Sequence, residues 1–409
     1  MTRKNFTTRA LNISFPKNDP HRALQMPIYE SVAFEFETAE DIAANFRGEL
    51  PGHVYSRTGN PTVEYLELKI KALTNAHAVL AVSSGMAAIS NAILALCTKG
   101  DNLITNKNLF GHTYALFNQN LPSMGIESRF ANFENISELE KQIDENTRLI
   151  YFETVTNPQL EIPNIEALAQ LAQKHKIVLM ADSTLTPPNV FNSKKHGVNI
   201  EVLSTTKFIS GGATSVGGVI IDNGTYNWAY NKNLAPFVNK LGKNTFLGRL
   251  KKGVFRQFGG CMTAHSAYFQ ILGLDILELR VDKCVDNCIQ LGEYMENNAK
   301  IKAVNYPALK SSKFNENATS YFVGKPGAIM TFDLESEAAC FAFMNKLNII
   351  RRATNLNDNK TLIIHPYSTI YVEFTPEQRA EMGIRPTMMR LSVGIEGVED
   401  LIEDIEQAL

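Results

Sequence analysis

No two cysteines in this chain of 409 residues are spaced as CxxC. The five thiols, Cys97, Cys261, Cys284, Cys288 and Cys340, are scattered. Cys284 and Cys288 would share one helix face, but without a second pair nearby they make a poor zinc site, and no metal is expected. An odd, dispersed set of thiols also fits a reducing cytoplasm better than a disulfide framework. Basic excess is absent too: 40 Lys and Arg face 42 Asp and Glu, for a formal net charge of −2. Neither nucleic acid nor an anionic membrane is therefore an expected partner. The first residues, MTRKNFTTRALNISFP, carry charge without an apolar h-region, so no signal peptide is expected. The most apolar stretch, 76–97, is interrupted by Ser83, Ser84, Gly85, Ser90 and Asn91, and reads as strand, turn and helix rather than a membrane span. There is no internal repeat, no low-complexity linker, no GxxxxGK[ST], and no GxGxxG after the first strand, which removes the common nucleotide-binding loops.

What the chain does have is length, 44% hydrophobic residues, and an alternating texture. Its size predicts two domains. Residues 1–61, with prolines at 16, 20, 27, 51 and 61, read as an irregular arm that cannot build its own core and lies on a neighbouring subunit. Residues 62–253 alternate short apolar runs with helical patterns: HAVLAVSS then GMAAISNAILALC, DNLITN then HTYALFNQNL, RLIYFET then IEALAQLAQKH, then KIVLMAD, IEVLSTT and VGGVIID. Such alternation predicts an α/β domain with a mostly parallel sheet and helices on both faces. Residues 254–409 shift to long helical patterns followed by GAIMTFDL, TLIIHP, MMRLSVGI and a closing helix, which reads as a smaller α+β domain.

In an open parallel sheet, ligands sit at the carboxyl ends of the strands. After HAVLAV comes Ser84-Gly85-Met86, a tight turn into a helix whose free N–H groups could hold a phosphate; a plain serine cap explains the serine equally well. After RLIYFET comes Asn157-Pro158, an ordinary turn signal with an amide beside it. After KIVLM comes Asp182, a carboxylate that would be costly to bury unpaired. After IEVL comes Ser204-Thr205-Thr206-Lys207. A lone lysine is usually a solvated charge. Here it stands with a carboxylate and two hydroxyls on neighbouring strand ends, which is the set that pyridoxal phosphate needs: an amine for a Schiff base, a carboxylate opposite the pyridine nitrogen, and donors for the phosphate. Burial would also favour the neutral, reactive amine.

These motifs, with Tyr55-Ser56-Arg57-Thr58-Gly59-Asn60-Pro61, His365-Pro366 and Arg390-Leu391-Ser392-Val393-Gly394, resemble the pyridoxal-phosphate enzymes of Cys/Met metabolism, the trans-sulfuration group, over nearly the whole chain. Within that group the chain is most similar to O-acetylhomoserine sulfhydrylases. The resemblance implies a fold-type I transferase. It makes Lys207 the Schiff-base lysine, pairs Asp182 with the ring nitrogen and places Asn157 at the ring hydroxyl. It gives Ser84, Gly85, Met86, Ser204 and Thr206 to the phosphate, and sends Tyr55 and Arg57 to the phosphate of a neighbouring subunit. It assigns the substrate carboxylate to Arg390, with Asn355 where a serine is common. It implies dimers that share active sites, usually paired into a tetramer.

Several positions depart from the pattern. Phe110 replaces the usual ring-stacking tyrosine and lacks its hydroxyl. His112 follows two places later and could take an acid–base role, though a lone histidine is more often structural. Leu203 and Tyr371 each stand where a histidine is common. The expected reaction is γ-replacement on an activated homoserine by sulfide or a small thiol. The alternative is γ-elimination, as in methionine or cystathionine γ-lyases. A non-catalytic or nucleotide-binding α/β protein is the remote alternative.

Overall fold

A computed structural model describes residues 5–15 and 19–409, and Pro16 of the expected arm lies outside them. The arm is less irregular than its prolines imply. Asn5 caps α1 (Phe6–Leu11) by accepting from the Thr8 N–H. Thr38 caps α2 (Ala39–Arg47), which ends on Gly48 in the left-handed conformation. Side-chain caps of this kind satisfy the first free N–H groups and outweigh nearby prolines. Ala10 and Met26 of the arm are buried in the chain's own core, with Phe6, Ile13 and Phe15 packed against it, whereas Leu24, Val32 and Phe46 stay exposed.

Asn60 accepts from the Thr62 and Val63 N–H groups and starts α3 (Pro61–Thr74), with Pro61 at the first helical position. The apolar runs then form strands β1 (Ala78–Val82), β2 (Asn102–Thr105), β3 (Glu127–Phe130), β4 (Thr147–Glu153), β5 (Val178–Asp182), β6 (Ile200–Leu203) and β7 (Gly218–Asp222). They make one sheet in the order β1-β7-β6-β5-β4-β2-β3. Only β7 departs from the parallel arrangement, running antiparallel to both β1 and β6. β3 escaped the sequence reading because its residues, ESRF, are polar, as an edge strand allows.

Apart from the edge strand β3, these strands are buried on both faces, which is why they read as continuous apolar runs. Along β5, Val178 and Met180 enter one core with Ile89 and Ile93 of helix α4 (Gly85–Leu96). Leu179 and Ala181 enter the opposite core with Ile165 and Leu168. A smaller sheet follows, in the order β10-β11-β12-β9-β8, from β8 (Ala303–Asn305), β9 (Ile329–Asp333), β10 (Arg351–Arg352), β11 (Leu362–Ile364) and β12 (Met388–Ser392). A third core joins the two sheets, bringing Val219 and Ile221 together with Ile271 and Leu274 and with Met330 and Phe332. No helix among the described residues is long and apolar enough to cross a membrane.

The joint between the two parts touches the lysine loop directly. In the helix Ala264–Asp275, Gly273 lies so close to that loop that a Cβ would sit 1.9 Å from the Ile209 carbonyl oxygen. The buried Arg280 donates to the carbonyls of Gly273 at 2.7 Å and Ile209 at 3.4 Å. Gly273→Ala should therefore force helix and loop apart and cost about 1–3 kcal/mol of stability. Thermal unfolding checks this; an unchanged melting temperature would show that the joint yields freely.

Candidate active site

A cavity of about 420 Å³ opens at the carboxyl ends of β1, β4, β5 and β6. Of the residues expected at the site, Ser84, Gly85, Met86, Phe110, His112, Asn157, Asp182, Ser204, Thr206, Lys207 and Arg390 all line it. Asn355 joins them through Lys207, whose amine donates to Asn355 Oδ1 at 2.9 Å. Tyr55 and Arg57 do not reach it. Tyr55 is 43% exposed, and Arg57 donates outward to the Arg256 carbonyl at 2.6 Å. A wider groove of about 720 Å³, lined by Asn106, Asn132 and Lys313 among others, contains none of these residues.

One end of the cavity is a bed of donors. Ser84 follows β1 and caps α4, taking the Ala87 N–H on its hydroxyl and the Ala88 N–H on its carbonyl. The N–H groups of Gly85 and Met86 have no acceptor among the described residues. Gly85 must be glycine, because a Cβ there would meet Ser204 Cβ at 2.6 Å. The Thr206 hydroxyl donates to the Gly217 carbonyl and accepts from its N–H, at 3.1 and 3.0 Å, which fixes its position on the cavity wall.

Asp182 closes β5. It accepts from the Thr184 N–H at 2.9 Å and the Tyr151 hydroxyl at 3.2 Å. Burial pushes its carboxyl above the usual range, and those hydrogen bonds oppose the rise. Beside it on β4 stands Glu153, its register partner. Sequence reasoning passed over Glu153, although the same signal, an acidic residue ending an apolar strand, marks both. Glu153 accepts from the Phe110 N–H at 2.7 Å and the Asn157 N–H at 3.3 Å. Burial, and then the nearby Asp182, push its carboxyl well above the ordinary value. It holds the segment carrying Phe110 and the Asn157 turn on one side chain.

Lys207 is mostly buried. Burial first, and then the neighbouring Arg390 guanidinium, lower its amine to about 8, while Asp358 acts in the opposite sense. Arg390, on β12, is 2% exposed and has only neutral partners: Asn157 Oδ1 at 3.1 Å and the carbonyls of Thr354 and Asn355 at 3.0 and 3.4 Å. Its Nε is buried without a partner among the described residues. Burial lowers it to about 10. A buried cation with neutral neighbours and a spare donor is a ready seat for a carboxylate.

His112 is exposed at the cavity mouth, its ring edge-on to Phe110 with centroids 5.2 Å apart. Tyr371, fully buried, lies behind the residues that line the cavity: its hydroxyl lies 3.2 Å from the Leu109 carbonyl and 3.0 Å from that of Asn157.

These groups fit pyridoxal phosphate. The unpaired N–H groups at the start of α4 suit the phosphate, Asp182 suits a protonated ring nitrogen, and Lys207 supplies an amine that is partly neutral near pH 8. Glu153→Gln leaves one acceptor where there were two and turns an N–H toward an N–H. Loss of such a bond is worth about 1.5–3 kcal/mol, so pyridoxal phosphate should bind roughly tenfold or more weakly. Titration of the apo variant checks this, and unchanged affinity would remove Glu153 from the site's support.

Comparison with known proteins agrees with this chemistry. The chain is 46% identical to a solved O-acetylhomoserine sulfhydrylase of the methionine biosynthetic pathway of Wolinella succinogenes, with a TM-score of 0.78 over 86% of this chain and 98% of the other. It is 32% identical, with a TM-score of 0.92 over 99% of both chains, to a putative O-acetylhomoserine (thiol)-lyase from Campylobacter jejuni whose structure contains N'-pyridoxyl-lysine-5'-monophosphate. It is 34% identical to an L-methionine gamma-lyase of Fusobacterium nucleatum over 98% of this chain and 97% of that one. The family model described as Cys/Met metabolism PLP-dependent enzyme matches residues 7–409. The chain belongs to that family, and it is a pyridoxal-phosphate-dependent enzyme of fold type I.

Proposed function

We propose that this enzyme carries out γ-replacement on an O-acylated homoserine, with O-acetylhomoserine and sulfide or a small thiol as substrates and homocysteine or methionine as product. The observation that carries the reading is the placement of a buried guanidinium with only neutral partners and a spare Nε donor, Arg390, beside a lysine whose amine is lowered to about 8. One group seats the carboxylate of an amino acid and the other works on its Cα. The names of the Wolinella and Campylobacter proteins support the choice of substrate.

Pyridoxal phosphate, when bound, supplies the electron sink that stabilises negative charge at the substrate's Cα. The chain's own residues do the rest. Ser84, Gly85, Met86, Ser204 and Thr206 would hold the phosphate. Asp182 would keep a proton on the ring nitrogen. Asn157 would meet the ring hydroxyl, and Phe110 would cover the ring face. Arg390 fixes the substrate carboxylate, which leaves Cα and Cβ facing the lysine. Lys207, once its amine is free, takes the proton from Cα, passes that proton on, and, neutral again, takes the proton from Cβ, because it is already beside both. His112 at the mouth is placed to move a proton at the departing acyl oxygen or the incoming thiol. Tyr55 and Arg57 face outward to complete the phosphate site of a second copy, in dimers that pair into a tetramer. The arm 1–61, whose helix α1 packs on the chain's own core, reaches the neighbour through its exposed residues such as Leu24, Val32 and Phe46; the parts 62–253 and 254–409 form the cofactor and closing domains.

The second reading, γ-elimination, has the Fusobacterium L-methionine gamma-lyase in its favour. The two reactions part only at what meets the substrate after the γ group leaves. O-acetylhomoserine supplied with sulfide is expected to give homocysteine with little 2-oxo acid. Abundant 2-oxobutyrate in the absence of sulfide would decide for elimination.

Lys207→Ala should abolish turnover and the visible absorbance of covalently held cofactor. In the wild type, turnover should decline as pH falls below about 8, since the lysine works as a base only when neutral. Retention of both signals in the alanine variant would overturn the assignment.

A further inference from the structure

Asp358 has no part in the chemistry above, yet its buried carboxylate lies two hydrogen bonds from the reacting amine. The Lys207 amine donates to Asn355 Oδ1 at 2.9 Å, and Asn355 Nδ2 donates to Asp358 Oδ2 at 2.8 Å. A carboxylate only accepts, so the amide nitrogen of Asn355 must face Asp358 and its oxygen must face the lysine. Asp358 thereby removes the freedom of Asn355 to flip.

The loop is tied to the lysine's own backbone. The Asn359 N–H donates to the Gly211 carbonyl, and the Gly211 N–H donates to the Lys207 carbonyl, both at 2.8 Å. The Asn357 N–H donates to Ser392 Oγ at 2.7 Å, next to Arg390 on β12. The Lys360 N–H, at 3.1 Å, holds the other oxygen of Asp358.

Resting on the reading of Lys207 as the cofactor-binding base, we propose that Asp358 is a positioning residue: through Asn355 it fixes the seat of the free Lys207 amine between its release and its return to the cofactor. A lysine that leaves a covalent link and then takes two protons in turn, giving up the first before it takes the second, needs one defined place to stand, because a flexible four-carbon stem would otherwise spread the amine over many positions. The charges around the pair give it a sign. Arg390 faces Lys207 and disfavours its ammonium, whereas Asp358 favours it. Asp358 itself faces the Lys360 ammonium at 3.9 Å, the Arg280 guanidinium and the Cys284 thiol, whose Sγ lies 3.9 Å from the Asp358 carbonyl.

The test follows the rate at which apoenzyme captures pyridoxal phosphate, read by visible absorbance across pH. Wild-type capture should rise through a midpoint near 8. Asp358→Asn removes the favouring charge, so the midpoint should move to lower pH by about one unit, and kcat should fall with KM little changed because the amide can now flip. Asn355→Asp sets a carboxylate against the amine, and its midpoint should move the other way. Opposite displacements support the proposal. If both variants are folded by circular dichroism and titrate as the wild type does, it is overturned; should Asp358→Asn not fold, the direction seen with Asn355→Asp decides. Lys207→Ala separates the two readings: capture abolished there but unaltered at 358 and 355 sinks the seat alone, whereas capture persisting without Lys207 sinks the reading beneath it.

Discussion

Arg390 is a buried cation to which the chain supplies only neutral acceptors. Removing a guanidinium from water is costly, and carbonyl and amide oxygens offset that cost in part. The rest is left for an anion from outside. The same charge disfavours protonation of Lys207, so in the proposed reaction a single residue would both seat a carboxylate and favour the neutral form of the adjacent base. Much of the smaller sheet holds this one side chain. β12 lies between β9 and β11, which prevents Arg390 from moving along or across the strand. Asn157 then ties its head to the larger sheet.

The larger sheet contributes a row of strand ends with different chemistry: a donor bed after β1, two carboxyls at the ends of β4 and β5, and an amine after β6. β7 enters between β1 and β6 in the opposite direction, and its first residue, Gly218, passes so close to Ser84 that a Cβ would lie 2.2 Å from the Ser84 carbonyl oxygen. The donor bed and the lysine segment are thereby brought to opposite edges of one strand.

Much of this was legible in the sequence because buried parallel strands write continuous apolar runs, and the residue that ends such a run is conspicuous. Asp182 and Lys207 were found in that way. Glu153 carries the same signal and was missed, because Asn157-Pro158 four residues on is a stronger turn mark. The caps of α1 and α2 were hidden by the surrounding prolines, and β3 by its polar composition. Arg390 and Asn355 were not legible from local pattern: each meets the larger sheet through a contact more than a hundred positions away, with Asn157 and Lys207 respectively, and only likeness to a known family brought them forward. Tyr371 likewise reaches Leu109 and Asn157 across more than two hundred positions, whereas Asp358 bonds to the nearby Asn355 and Lys360 and meets the site only through them.

The Tyr371 hydroxyl has one proton and two carbonyls within reach, those of Leu109 and Asn157. Leu109 precedes Phe110, and the Asn157 side chain accepts from Arg390, so one buried hydroxyl serves the backbone on both sides of the cavity. Whichever carbonyl takes its proton, the other is left without it, and a phenylalanine at this position would deprive both at once.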